Sequence, residues 1–258
     1  VAHAFTVANG TLAQGGFALT APSLALGDGD AASITNNAAL GIAGQVTINV
    51  GAAASVTLGS AGNDFSTIAV TSANNVTITD IDDIILAASS VSGTLAVTSG
   101  GALTQSGALS GAALAAKTLN NGGAAITLAN AANDFNSVSL QARNAADGAD
   151  APGAITYTDA DGFSVPALAT TAGASITAGS GVVDFTAAVG ITPLASLAVD
   201  AGAGTVRFGS SVTTTGAQSV NAATIQANGA LVTTVNSPIT LTGNVVLQNN
   251  TSVTADDG

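Results

Sequence analysis

Val56-Thr-Leu-Gly-Ser-Ala-Gly-Asn-Asp-Phe-Ser-Thr-Ile-Ala-Val70 returns seventy residues later as Ile126-Thr-Leu-Ala-Asn-Ala-Ala-Asn-Asp-Phe-Asn-Ser-Val-Ser-Leu140. Within the repeat, Asn63-Asp64-Phe65 recurs unchanged as Asn133-Asp134-Phe135. Each copy opens on an apolar-Thr-Leu triplet, passes through small residues, and closes on a second run with apolar side chains at alternate positions. That period of two places one face of a short strand in a core and the other outside. Shorter echoes run along the chain, among them Val46-Thr-Ile48, Val76-Thr-Ile78, Leu95-Ala-Val97, Ile155-Thr-Tyr157, Leu197-Ala-Val199, Ile239-Thr-Leu241 and Val245-Val-Leu247. Turn-forming doublets such as Asn36-Asn37, Gly100-Gly101 and Asn120-Asn121 separate them.

Strands this short need many neighbours to be stable. A sandwich of strands spaced 8–12 residues apart is one solution; a parallel solenoid is the other. Self-similar segments, the scarcity of strong two-residue Asn-Gly or Asp-Gly hairpin signals between flanking strands, and small residues suited to stacked corners favour the solenoid. The expected fold is all-β: a right-handed parallel β-helix, one rod over residues 1–258, with coils of roughly 20 residues and thus about 13 turns. The stretch from Gln141 to Gly153 lacks apolar alternation and carries Arg143, Asp147, Asp150 and Pro152; it reads as an outward loop. The chain opens on Val1 and stops in mid-pattern at Asp256-Asp257-Gly258, as a piece of a longer polypeptide would. Both terminal stretches are strand-like and nearly uncharged. The expected partners are therefore further coils of the same chain or a second copy, end to end.

Composition supports strands over helices. Charged residues are 7% of the chain, there is no Met, and the acidic residues are all Asp. The long, good helix-formers are missing, and with them any charged outer face for an amphipathic helix. The net charge of −12 excludes nucleic acid as a partner, because Lys117, Arg143 and Arg207 are too few and too scattered to neutralise phosphates. An anionic membrane surface is disfavoured for the same reason. No apolar run is long enough for a transmembrane segment, and one Tyr without Trp cannot furnish the aromatic girdles of a membrane barrel. The absence of Cys is no obstacle to export, since a long repeating core is stable without disulfides.

In a solenoid the repeated triplet has a structural meaning. Phe65 and Phe135 point inward, Asn63 and Asn133 sit at corners where Asn tolerates left-handed backbone and caps amides, and Asp64 and Asp134 face water.

The segments Ile126–Leu140, Leu95-Ala-Val-Thr-Ser-Gly-Gly-Ala-Leu-Thr-Gln-Ser-Gly107 and Ile239-Thr-Leu-Thr-Gly-Asn-Val-Val-Leu247 resemble the repeats of filamentous-haemagglutinin-type exoproteins, giant surface proteins of Gram-negative bacteria. The resemblance covers most of residues 46–258. It implies a right-handed parallel β-helix, export through an outer-membrane partner or an autotransporter domain, and work as an adhesin, biofilm scaffold or stalk. It places the chain outside the cell, attached to the outer membrane or released, with a host or matrix glycan or protein as a conceivable ligand. The family's secretion domain is not recognisable here.

Catalysis finds few materials. Enzymatic β-helices acting on polysaccharides cluster carboxylates with basic residues and aromatic platforms. Here Tyr157 stands alone and His3, the single histidine, has no evident partner. Many Ser and Thr hydroxyls have no base to activate them. The chain reads as a non-enzyme without a cofactor. Asp80, Asp82 and Asp83, and Asp159 with Asp161, place hard oxygens close together, so calcium is the one cation they could take. The calcium nonapeptide and the EF-hand loop are missing, and Asp is the default turn residue of a chain without Glu; the clusters read as solvated turns. Two functions fit: a structural or adhesive rod segment of a bacterial exoprotein, or a subunit of a self-assembling extracellular filament or surface layer.

Overall fold

In the computed structural model, residues 5–8, 11–12, 14–30, 33–249 and 251–255 are described. His3, the Asp256–Asp257 pair, and the very first and last residues of the terminal stretches lie outside them. The chain folds as two compact units, Val1–Lys117 and Thr118–Gly258. Each is a parallel β-solenoid, and together they run through about 12 turns of about 21 residues.

In the first unit, Ile34 pairs with Val56, Val56 with Val76, and Val76 with Leu95, all parallel and in register. The four side chains form a buried inward column. One residue on, Thr35, Thr57 and Thr77 form the matching exposed column. A second face stacks Leu24, Val46 and Ile68 in the same way. Alternation along each strand thus becomes a ladder across coils, because a parallel in-register stack puts like positions over like. The rungs are 22 residues apart from Leu24 to Val46 and 20 apart from Val56 to Val76.

The second unit repeats the plan. Leu128, Tyr157, Ile176, Val199, Val220 and Leu241 lie on successive rungs. On another face, Phe185 stacks on Phe208, ring centroids 5.1 Å apart and 24° from parallel. A separate four-stranded parallel sheet joins Val189–Leu194, Val212–Thr214, Leu231–Thr233 and Val253–Ala255. Most rungs are 19 to 23 residues apart, but Ile126 and Ile155 are separated by 29.

That extra length is the outward loop. The strand Asp134–Arg143 continues past Gln141, so the loop begins at residue 144, three residues after the predicted start of 141. The alternating burial of Leu140 and Ala142 shows why: the strand pattern survives into a segment whose composition looks like a turn. The loop is tied down. Arg143 Nε donates to Asp147 Oδ1 at 3.2 Å, its Nη1 to Asp150, and its Nη2 to the Asp147 carbonyl at 3.0 Å. Asn144 Oδ1 accepts from the amides of Gly148 and Ala149. Among the described residues no helix is long and apolar enough to cross a membrane.

Candidate functional site

The repeated triplet lies where two unequal corners must be stacked. In the first unit five residues separate Leu58 from Asp64, whereas three separate Asp80 from Ile84 in the next coil. In the second unit five separate Leu128 from Asp134, and three separate Asp159 from Phe163. Corners of different length cannot keep a backbone ladder, so buried amides and carbonyls there need side-chain partners.

Asn63 supplies them. Its Nδ2 donates to the Leu58 carbonyl at 3.0 Å and the Thr79 carbonyl at 3.2 Å. Its Oδ1 accepts from the Leu40 amide at 3.0 Å and from Asn36 Nδ2 at 2.9 Å. All four hydrogen-bonding capacities of the carboxamide are used. Asn133 Nδ2 donates to Leu128 and Thr158 carbonyls in the same way, at 3.2 and 3.0 Å. Both Asn are wholly buried. Both sit at corners as expected, and Asn63 accepts from the Leu40 amide, but the expected left-handed backbone is corrected. Among the described residues the non-glycine residues with positive φ are Asp147 and Asn249, so Asn63 and Asn133 serve as interior bridges, not left-handed caps.

A carboxylate completes each clasp. The Phe65 amide donates to Asp80 Oδ1 at 2.6 Å, and the Phe135 amide to Asp159 Oδ2 at 3.2 Å. Asp82 N–H reaches Asp80 Oδ2, and Asp161 N–H reaches Asp159 Oδ1, both at 3.3 Å. The corner backbones lock reciprocally: Ile81 N–H donates to the Asn63 carbonyl at 2.8 Å, and Ala160 N–H to that of Asn133 at 2.7 Å. Gly100 and Gly179 form the next layer, their amides donating to the Asp80 and Asp159 carbonyls. A Cβ on Gly100 would lie 2.0 Å from the Ile81 carbonyl oxygen, which explains the glycine.

Solvated turns are therefore not what Asp80 and Asp159 form; they are 3% and 1% exposed. Asp64, Asp82, Asp83, Asp134 and Asp161 are exposed, and Phe65 and Phe135 are wholly buried. Burial pushes the Asp80 carboxyl up to about 7; the Phe65 and Asp82 amides oppose the rise, and the neighbouring Asp82 carboxylate adds to it. Asp159 is raised as well, burial again first, against the hydrogen bond from Tyr157. Tyr157 OH donates to Asp159 Oδ2 where the first unit has Ile78, and burial beside Asp159 pushes that phenol far up.

Sequence reading grouped Asp80 with Asp82 and Asp83, and Asp159 with Asp161; the structure adds Asp134 to the latter. Asp134, Asp159 and Asp161 each bring one carboxylate oxygen within 4.8 Å of the others. Calcium takes 6–8 oxygens and needs ionised carboxylates. Asp159 already accepts from Tyr157, Phe135 and Asp161. With that carboxylate so engaged, the three residues offer fewer free oxygens than calcium takes. The sequence signal for the clasp was present but unused: Val76-Thr-Ile-Thr-Asp80-Ile-Asp82 matches Ile155-Thr-Tyr-Thr-Asp159-Ala-Asp161, with the outward loop masking the common spacing from the Asn-Asp-Phe triplet.

Away from the corners, a groove of about 430 Å³ in the second unit lies between the tied-down loop and the strand Phe163–Ala169, lined by Arg143, Asp150, Pro166, Leu168 and the exposed Ile191.

Stacked parallel coils joined by recurring side-chain clasps define a β-solenoid repeat protein. Residues 2–72 and 73–141 each match one family, described as repeats of unknown function (DUF5649), and the chain belongs to that family. The two matched segments start 71 residues apart, close to the seventy-residue spacing of the Asn-Asp-Phe triplets, and each holds one triplet. No curated protein and no solved structure matches the chain.

Proposed function

We propose that this chain is a structural or adhesive rod segment of a secreted or cell-surface bacterial exoprotein of the filamentous-haemagglutinin or autotransporter kind, and that it performs no catalysis. The observation that supports this most is the employment of its buried polar side chains. Ser89, Ser99, Thr118, Thr170, Thr214 and Thr233 all donate to backbone carbonyls at or beside a corner. Asn63, Asn133, Asp80 and Asp159 bond corner backbone too. Interior polarity is thus spent on tying down corner backbone, within one coil for Ser89, Thr118, Thr214 and Thr233 and between coils for Ser99, Thr170, Asn63 and Asn133, as a stack of coils requires.

In this reading the coils wind right-handed, the hand of nearly all parallel crossover connections. The partners are further coils of the same kind, in the same chain or a second copy, and a host or matrix glycan or protein. The place of work is outside the cell. Immunogold electron microscopy of the bacteria that make the protein, with antibody against this chain, tests it. Label on surface projections or released fibres is expected, and regular fibres rather than single stalks would favour a self-assembling filament subunit. Label confined to the cytoplasm would overturn the reading.

A further inference from the structure

A shallow groove of about 390 Å³ crosses the strands of the second unit, and Asn136, Ser164, Asp184 and Arg207 line it. Ser164 lies opposite Asp184, Asp184 opposite Arg207, and Arg207 opposite Gln226. Neighbouring strands are about 4.8 Å apart, so a polar group follows on every coil. These side chains point outward, because the residues flanking them, such as Val183 and Phe185 or Val206 and Phe208, are buried. The first unit carries the same column without charge: Thr67, Ile85 and Thr104 hold the rungs that Ser137, Ser164 and Asp184 hold here. Stacking of coils therefore does not call for Asp184 or Arg207. Opposite charges stand on adjacent rungs, yet they are not joined. Arg207 Nε donates to Gln226 Oε1 at 3.0 Å, on the rung away from Asp184. Among the described residues no ion pair or hydrogen bond engages the Asp184 carboxylate, and the two Nη groups of Arg207 have no acceptor. Arg143, by contrast, is clasped by Asp147 and Asp150.

We propose that this column is a binding groove for an extended, neutral glycan laid across the coils. A hydroxyl both donates and accepts. Two neighbouring hydroxyls of one sugar ring give a hydrogen bond to Asp184 and take one from an Arg207 Nη group. Ser164 and Gln226, on the rungs to either side, offer the same donor and acceptor pair to the rings before and after. Charge selects against an acidic polymer: one carboxylate and one guanidinium leave the groove neutral, and a chain of net charge −12 repels polyanions. Phe163, the aromatic residue lining the groove, is 3% exposed, so no ring platform is offered and the hydrogen bonds carry the affinity. The proposal rests on the exoprotein reading for the place where such a polymer is met, and not for the binding itself.

The test is isothermal titration of the full chain with cellohexaose and with N-acetylchitohexaose, both extended and uncharged. At least one is expected to bind, at one site per chain. Arg207→Lys keeps the charge and loses the planar fork; Asp184→Asn keeps the shape and loses an acceptor oxygen. Each should weaken that binding about tenfold, the effect of losing one hydrogen bond to a charged group. Both side chains point outward, so the Tm of each variant should match that of the parent. Thr104→Ala, in the uncharged column of the first unit, should leave the affinity unchanged. No binding of either sugar, an affinity that Arg207→Lys or Asp184→Asn leaves unaltered, or tighter binding of an oligogalacturonate or of an uncharged glycine–serine peptide would overturn the groove. The titration does not depend on where the protein works. Cytoplasmic immunogold label beside intact binding would sink the exoprotein reading alone, and extracellular label without binding would sink the groove alone.

Discussion

Asn63→Ala should lower the unfolding free energy by about 3–5 kcal/mol, because each buried group left without its partner costs about 1–3 kcal/mol. The substitution strands three backbone groups at once: the Leu40 amide and the carbonyls of Leu58 and Thr79. A typical domain has only about 5–15 kcal/mol in hand, so this one carboxamide decides whether its corner survives at elevated temperature. Asn63→Asp separates hydrogen bonding from size. It is nearly isosteric, yet it removes both donors to Leu58 and Thr79 and introduces charge, so a comparably large loss is expected. Urea-induced unfolding followed by circular dichroism measures both. A loss below about 1 kcal/mol for Asn63→Ala would mean that the corner re-pairs its backbone without the side chain.

Phe135→Ala is expected to cost about 3–5 kcal/mol, the range for large-to-small changes in packed cores. Phe135 is wholly buried, and its own amide is the group held by Asp159. The ring and the clasp are consequently coupled: a cavity at Phe135 frees the backbone that Asp159 must find. Phe65→Ala should behave similarly, since Phe65 pairs with Ile42 on the adjoining rung and is equally buried. Combining Phe135→Ala with Asp159→Ala should cost less than the sum of the single changes, because neighbours sharing one network are not additive. Additivity would show that ring and carboxylate act independently. Denaturation midpoints of the four proteins of the cycle check it.

The stacking plan was legible because alternation and self-similarity are properties of the chain itself. Val56-Thr-Leu58 and Val76-Thr-Ile78 carry the same inward and outward positions that the structure sets on successive rungs. The inward direction of Phe65 and Phe135 followed from the same alternation. What could not be read was anything that depends on which residues of different coils lie opposite. Asp80 looks like a turn residue because Asp usually is one. It is buried because a three-residue corner stacks on a five-residue one, and that mismatch exists only after the coils are placed in register. Asn63 looks like a cap for the same reason. Its four partners come from residues 36, 40, 58 and 79, spread over three coils. The loop start was displaced because Gln141 and Arg143 resemble loop residues in composition while Ala142 between them remains inward. Tyr157 appeared as an isolated aromatic, and nothing in its local sequence announces the bond to Asp159 two residues away.

The account stands or falls on parallel, in-register coils, and the lack of native Cys makes that directly measurable. Thr57 and Thr77 are twenty residues apart, face solvent, and occupy adjacent rungs, with Ala96 on the rung beyond. Neighbouring strands lie about 4.8 Å apart. Nitroxide labels at Thr57→Cys and Thr77→Cys should therefore show strong dipolar broadening in the electron paramagnetic resonance spectrum, weaker for Thr57→Cys with Ala96→Cys. Spectra equal to the sum of the singly labelled proteins, with no broadening in the adjacent-rung pair, would contradict the solenoid.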